Sequence, residues 1–222
     1  MMTPVQRADC YNCAFPDRPP LSTFKPAGYR GTQWVCGTWA IGACYKNPNP
    51  LYGAYPHGYL ERVHSMFPDT CSILHVFSGG LTKDAAEMAA AKGEAMAHEL
   101  PLEVTGPFDI ELVDLHGPEQ GRHPTWQGDL HAMPAEWNGR FDLVLADPPY
   151  SAADAEKYGT PMVNRGQVLR TLRRVTKKGG NLVWLDVVWP MHRKEDWHTW
   201  AQIGLVRSTN HRVRLVSMFE AV

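Results

Sequence analysis

Residues 143–150 read LVLADPPY, an apolar run that stops at an acid, two prolines and a tyrosine. Proline fixes φ and donates no backbone hydrogen bond, so Asp147-Pro148-Pro149-Tyr150 is a poor continuation of a sheet and a poor start to a helix. What the corner supplies is acceptors. The Asp147 carboxylate and the Pro148 carbonyl are held in fixed directions by the imino rings, and the flat face of Tyr150 lies beside them. Such a group suits an aromatic exocyclic amine, whose lone pair is delocalised into its ring. Acceptors on the amino hydrogens turn the nitrogen toward an electrophile such as a methyl donor, while Tyr150 offers a surface on which an extruded base can stack. The competing reading is a tight capping turn.

Other chemistry-bearing residues sit where further strands should end. Phe77-Ser78-Gly79-Gly80 follows the apolar run SILHVF, and missing side chains there let a ligand approach the backbone. Asp114 closes FDIELVD, and Asp129, followed by Leu130, closes WQGDL. Singly, each acid reads as an N-cap or loop residue. Together they occupy the rim beyond the carboxyl ends of strands, where open parallel sheets bind ligands, and an acid after the second strand is suited to ribose hydroxyls.

The elements that must position these residues follow the rhythm of an α/β fold with a mostly parallel sheet. Strands are predicted over 72–77, 108–114 and 141–146, with an alanine-rich helix over 81–98 that ends before Pro101. The connection from the second strand to the third, with Gly117, Pro118, Gly121 and Pro124, leaves little room for a crossover helix. A brief helix precedes residue 141. After the polar stretch 151–160 a helix is predicted from Pro161 to Lys178, closed by Gly179-Gly180. NLVWLDVV reads as a buried strand and 196–203 as a last helix. HRVRLVSMFE reads as a half-exposed, antiparallel strand at or near the sheet edge.

With 222 residues, 44% hydrophobic and 20% charged, the chain fits one domain with a small appendage. No apolar run nears the ~18 residues of a membrane span, and the N-terminus lacks a basic segment with an apolar core, so a cytosolic protein is expected. Five cysteines, an odd number, agree with a reducing compartment. A net charge of −1 lacks the footprint of a protein coated by nucleic acid. Locally, RGQVLRTLRRVTKK (165–178) carries six cations and no acid, as either a helix end complementing its dipole or a phosphate-contacting face. Residues 1–54, crowded with Pro, Gly, Cys and aromatics, are predicted as an irregular extension to a domain over 55–222. Cys10, Cys13, Cys36 and Cys44 read as scattered small buried residues or as a zinc site, the spacing of the second pair favouring the former. Trp34, Trp39, Tyr45, Tyr52 and Tyr55 read as packing on the sheet or as base-stacking rings.

From about Tyr55 onward the sequence resembles the S-adenosylmethionine-dependent amino-methyltransferases of DNA, which act on adenine N6 or cytosine N4. The resemblance rests on Asp147-Pro148-Pro149-Tyr150 and on the stretch AYPHGYLERVHSMFPDTCSILHVFSGG. It implies a Rossmann-like class I methyltransferase with a mostly parallel, seven-stranded sheet flanked by helices. By the same likeness Tyr55, Pro56, His57 and Gly58 would touch the methionine moiety of S-adenosyl-L-methionine. Phe77, Ser78, Gly79 and Gly80 would cradle it, Asp114 would hold its ribose, and Asp129 with Leu130 would lie on its adenine side. Asp147, Pro148, Pro149 and Tyr150 would be catalytic. The implied setting is a small phage or prophage enzyme in a bacterial or infected cell, with target recognition from a second copy or a partner subunit. The sequence departs from the family where His75 stands in place of an acid and Leu81 in place of a glycine. RNA base amino-methylation at guanine N2 or adenine N6, and a non-catalytic binding module with an altered cofactor loop, are the alternatives.

Overall fold

The computed structural model describes residues 2–25, 33–41, 55–97, 107–207 and 213–222. In chain order it contains α1 (Pro4–Ala14), β1 (Ser22–Phe24), β2 (Trp34–Ile41), α2 (Tyr59–Met66), β3 (Ser72–Val76), α3 (Lys83–Ala97), β4 (Asp109–Asp114) and β5 (Trp126–Gln127). Then follow β6 (Phe141–Ala146), α4 (Ala152–Lys157), α5 (Arg165–Val175), β7 (Thr176–Asp186), β8 (Trp197–Arg207) and β9 (Val213–Ala221).

The apolar runs form strands buried on both sides, because alternate side chains enter different layers. Ile73, Leu143, Leu145, Val183 and Leu185 pack beneath α1, α2 and α3. Leu74, Val76, Val144, Leu182 and Trp184 pack beneath α5. The sheet order is β1-β2-β8-β9-β7-β6-β3-β4-β5. Strands β5, β4, β3, β6 and β7 are mutually parallel. Strand β9 lies antiparallel between β7 and β8. One end of the sheet therefore gathers the carboxyl ends of β3, β4, β5 and β6.

Several sequence expectations change here. The sheet has nine strands among the described residues rather than seven, because the N-terminal segment extends it: β2 pairs in parallel with β8, and β1 antiparallel with β2. The described part of that segment is thus not irregular. Thr3 and Gln6 form a reciprocal capping box around Pro4 that starts α1. Gly37 allows Leu21 to close on β2, since a Cβ there would lie 2.6 Å from a Leu21 methyl. The helix expected over 196–203 is strand β8, and β9, expected near the edge, is interior for that reason. Helix α5 begins only at Arg165, capped by Asn164, and the expected terminator Gly179-Gly180 lies inside β7. Gly180 is needed there because a Cβ would meet three backbone oxygens at 3.0 Å.

Candidate active site

The turn after β3 is built for close approach. Phe77 has φ +58° and Gly79 φ +57°, so the chain reverses through two left-handed residues, one of them carrying a full side chain. Its Ser78 amide donates to the Val113 carbonyl (3.1 Å), and the Gly79 amide donates to Asp114 Oδ2 (2.9 Å). Asp114, at the end of β4, is 6% exposed. Its Oδ2 also accepts from Arg122 Nη1 (3.1 Å), and its Oδ1 accepts from the His116 amide (3.0 Å). The carboxylate therefore ties the two loops together and retains acceptor capacity for a ligand hydroxyl. Asp129 does not end a strand. It caps the short turn Leu130–Ala132 by accepting from the His131 amide (2.9 Å).

The corner after β6 is braced from behind. Arg165 Nη2 donates to the Tyr150 carbonyl (3.1 Å), while the same guanidinium grips fully buried Asp186 at 2.6 and 3.1 Å. Asp186 also accepts from Trp184 Nε1 and the Val187 amide. Arg165→Met leaves this carboxylate buried without its countercharge. A loss of about 2–3 kcal/mol in urea unfolding is expected, below the 3–5 of a wholly buried pair because Arg165 is partly exposed. Asp186→Asn in the same chain should recover part of it.

Asp147 is half-buried, and its Oδ1 accepts from the Tyr150 hydroxyl. Desolvation pushes its carboxyl up to about 7, with the charge of Arg214 and the Tyr150 hydrogen bond acting against that rise. Burial, with the nearby Asp147 charge, holds the Tyr150 phenol well above its usual range. The Tyr150 ring does not present both faces freely: the Arg214 guanidinium carbon lies 4.8 Å from its centroid.

Between these loops lies a cleft of about 370 Å³, lined by Phe77, Gly79, Asp114, Asp129, Leu130, Asp147 and Pro149 among the expected residues. Ser78, Gly80, Pro148 and Tyr150 adjoin it without lining it. Arg122, His131, Tyr158, Asn164 and Gln167 also line it and were not singled out from the sequence; Asn164 and Gln167 belong to the cap and first turn of α5, and the others lie in short turns that carry no periodic signal. Tyr55, Pro56, His57 and Gly58 instead line a separate hollow of about 220 Å³ that shares Gly80 and Leu81 with the first loop. Tyr55 stacks on Tyr59 (5.4 Å between centroids) and meets His75 edge-on (5.9 Å). Buried wholly in β3, His75 is pushed down to about 3 by desolvation and stays neutral. It is a core residue, although neither ring nitrogen has a hydrogen-bond partner among the described residues.

The cationic run of α5 is mostly engaged within the chain. Arg173 donates to the Thr176 and Val222 carbonyls, Arg174 to those of Pro134 and Met133, and Lys177 pairs with Asp142 at 2.7 Å. These contacts gather at the helix's C-terminal end and close loops there, agreeing with the dipole-complementing role rather than a phosphate face. Cys10 and Cys13 sit on α1 and Cys36 on β2, while Cys44 lies outside the described residues. Among the described residues no group of His, Cys, Asp and Glu could hold a metal ion. Trp39 is fully buried and stacks on Tyr11 at 5.6 Å, while Trp34 meets Trp189 edge-on, so both pack within the protein. Tyr45 and Tyr52 lie outside the described residues. No helix among the described residues is long and apolar enough to cross a membrane.

Five parallel strands continued by an antiparallel β9 inserted before β8, with helices on both faces, constitute the Rossmann-like class I methyltransferase fold. No protein-family model and no curated protein matches the sequence. Among solved structures the chain is similar to the antibiotic-resistance methyltransferase Kmr at 14% identity and a TM-score of 0.38, over 68% of this chain and 87% of that one. It is similar to TrmN from Thermus thermophilus at 14% identity and 0.44, over 73% and 48%. It is also similar to the Burkholderia thailandensis 1,6-didemethyltoxoflavin-N1-methyltransferase, solved with bound S-adenosylhomocysteine, at 12% identity and 0.46, over 75% and 80%.

Proposed function

We propose that the protein is an S-adenosylmethionine-dependent methyltransferase acting on an exocyclic amine of a nucleic-acid base, adenine N6 of DNA first. The observation that carries this reading is the position of Asp147, which lines the cleft and whose carboxylate accepts from the Tyr150 hydroxyl.

The residues of the cleft fit the cofactor. Its volume falls in the range of small-ligand sites, Phe77 and Gly79 of the turn line it, and Asp114 offers a nearly buried acceptor beside Arg122, whose Nε has no hydrogen-bond partner among the described residues. Asp114 would hold the ribose, and Leu130 with the Asp129 loop would flank the adenine. Bound there, S-adenosylmethionine supplies an electrophilic methyl group. The chain's part is to hold the acceptor: Asp147 and the Pro148 carbonyl accept the amino hydrogens and aim the nitrogen lone pair at the cleft. With its acidity shifted to about 7, Asp147 can also take the proton the amine releases. No nucleophilic side chain is required.

Calorimetric titration with S-adenosylmethionine, followed by labelled-methyl transfer to DNA and to structured RNA, tests the reading. Cofactor binding with label on DNA adenine is expected. Label on RNA alone would move the substrate to RNA, and absence of cofactor binding would leave a binding module.

A further inference from the structure

Arginines with buried surface in this protein are answered by carboxylates or backbone carbonyls: Arg7 by Asp69 at 2.8 Å, Arg122 by Asp114 at 3.1 Å, Arg140 by Asp109 at 2.8 Å, Arg165 by Asp186 at 2.6 Å, and Arg62, Arg173 and Arg174 by the carbonyls of Gly58, Thr176 and Met133. Arg207 and Arg214 break the pattern. Both are partly buried, and among the described residues neither guanidinium has an ion pair or hydrogen bond. The Nε of Arg207 is itself buried and unpartnered. A guanidinium carries five donors that cost free energy when left unanswered away from water, so such positions are matched to an acceptor that arrives from outside.

Strand register brings the two together. Arg214 on β9 stands opposite Leu205 on β8, and Arg207 is two residues beyond Leu205. Directly opposed residues share a face and alternate residues return to it, so Arg207 and Arg214 are diagonal neighbours on one face of the same strand pair, roughly 7–8 Å apart at the backbone. Both lie at the sheet end that carries the Asp147 corner, since Asp186 at the end of β7 pairs with Leu215. Arg214 reaches further, laying its guanidinium over the Tyr150 ring at 4.8 Å. That surface is the one a base would use for stacking. A planar guanidinium is a fair substitute for a base on an aromatic face, but there it makes no direct ion pair among the described residues and feels only the nearby charge of Asp147, so a phosphate oxygen in contact would bind it better.

We infer that Arg207 and Arg214 form a phosphate grip at the acceptor side: Arg214 occupies the Tyr150 face until a base displaces it, then pairs, together with Arg207, with the backbone phosphate beside that base. The inference rests on the proposed acceptor role of Asp147 and Tyr150 and deepens it, because it makes a phosphodiester-linked base, not a free nucleoside or small amine, the preferred substrate. No covalent step is involved. The grip discriminates by charge, and its contribution should fall with salt.

The experiment is binding, which needs no turnover. Fluorescence anisotropy of labelled single-stranded DNA and RNA 8-mers, each containing one adenine, would be measured against salt for the full chain, Arg214→Met and Arg207→Met, with deoxyadenosine as competitor. Each substitution should weaken 8-mer binding about tenfold and lower the slope of log affinity against log salt by about 0.7, while leaving deoxyadenosine competition unweakened. Equal losses on both 8-mers would assign the grip to phosphate chemistry shared by the two backbones, and a loss on one alone would name the source. Unchanged affinity and slope in Arg207→Met, which touches neither Tyr150 nor Asp147, would overturn the grip. So would 8-mer binding no tighter than nucleoside. Calorimetry with S-adenosylmethionine on the same samples reports the methyltransferase reading separately.

Discussion

Asp147→Asn is expected to lower methyl transfer by at least about a thousandfold while changing S-adenosylmethionine affinity by less than about threefold. Asparagine keeps the shape of the side chain, but it turns one acceptor oxygen into a donor and cannot carry a charge. It can no longer offer a charged acceptor to the amine beside the Pro148 carbonyl or take the released proton, each a matter of two or three orders of magnitude in rate. Cofactor contacts made by Gly79 and Asp114 are untouched. A second consequence separates this role from a structural one. The Asp147 carboxyl is shifted up from about 3.8 to about 7, chiefly by desolvation. Because the folded value lies above the unfolded one, the stabilising protonated form is fully present below about pH 4, and its contribution is lost as pH rises toward 7 and beyond. Above pH 7 the wild-type protein holds a half-buried charge that the asparagine variant lacks. The variant should be more stable at pH 8, by about 1–3 kcal/mol after allowing for solvent reaching the carboxyl, with no difference near pH 4. Wild-type transfer should rise with pH through about 7. Retained transfer, or a variant less stable at pH 8, would remove Asp147 from the role assigned to it.

The corner itself was legible because its chemistry is local: two prolines after an aspartate restrict the backbone whatever surrounds them. Strands β3, β4, β6 and the core of β7 were legible for a related reason, since continuous apolar runs of five or six residues can be buried on both faces. Strand β8 was not. The register shifts between Thr199 and Ala201, and this irregularity turns Trp200 into the core with Ile203, on the face opposite Trp197, so that buried residues at 197, 200 and 203 show an i, i+3, i+6 spacing that imitates a helix. Missing β8 also misplaced β9. In the N-terminal segment the Thr3-Pro4-Val5-Gln6 capping box was a readable start signal for α1, hidden among prolines and aromatics that suggested only turns. The first loop's two departures from the pattern it resembles have physical counterparts: His75 is buried in the core, and Leu81 packs against the same core. Arg122 and Tyr158, which complete the cleft, come from loops where sequence spacing carries no information about approach.

Asp114→Ala is expected to abolish measurable S-adenosylmethionine binding and to destabilise the fold, because the carboxylate has two jobs. It is nearly buried, and removing it strands three donors at once: the Gly79 amide, the His116 amide and the Arg122 guanidinium. The buried amides cost about 1–3 kcal/mol each when unanswered, and the Arg122 charge, 11% exposed, costs more. Water entering the emptied site relieves part of this, so a loss of about 3–5 kcal/mol in denaturant unfolding is expected. Asp114→Asn distinguishes the jobs. Its amide oxygen, in the place of Oδ2, can still accept from the Gly79 amide and from Arg122, though without neutralising the Arg122 charge, while its amino group cannot accept from the His116 amide, so stability should fall by a smaller amount and the Phe77–Gly80 turn should persist. Cofactor affinity should nevertheless drop by about tenfold to a hundredfold, because a charged acceptor for ribose hydroxyls becomes a neutral one. The double change Asp114→Asn with Arg122→Met removes the stranded cation and should restore stability toward wild type without restoring affinity. If affinity returned together with stability, Asp114 would act only by holding the two loops in register, and the ribose contact would lie elsewhere in the cleft.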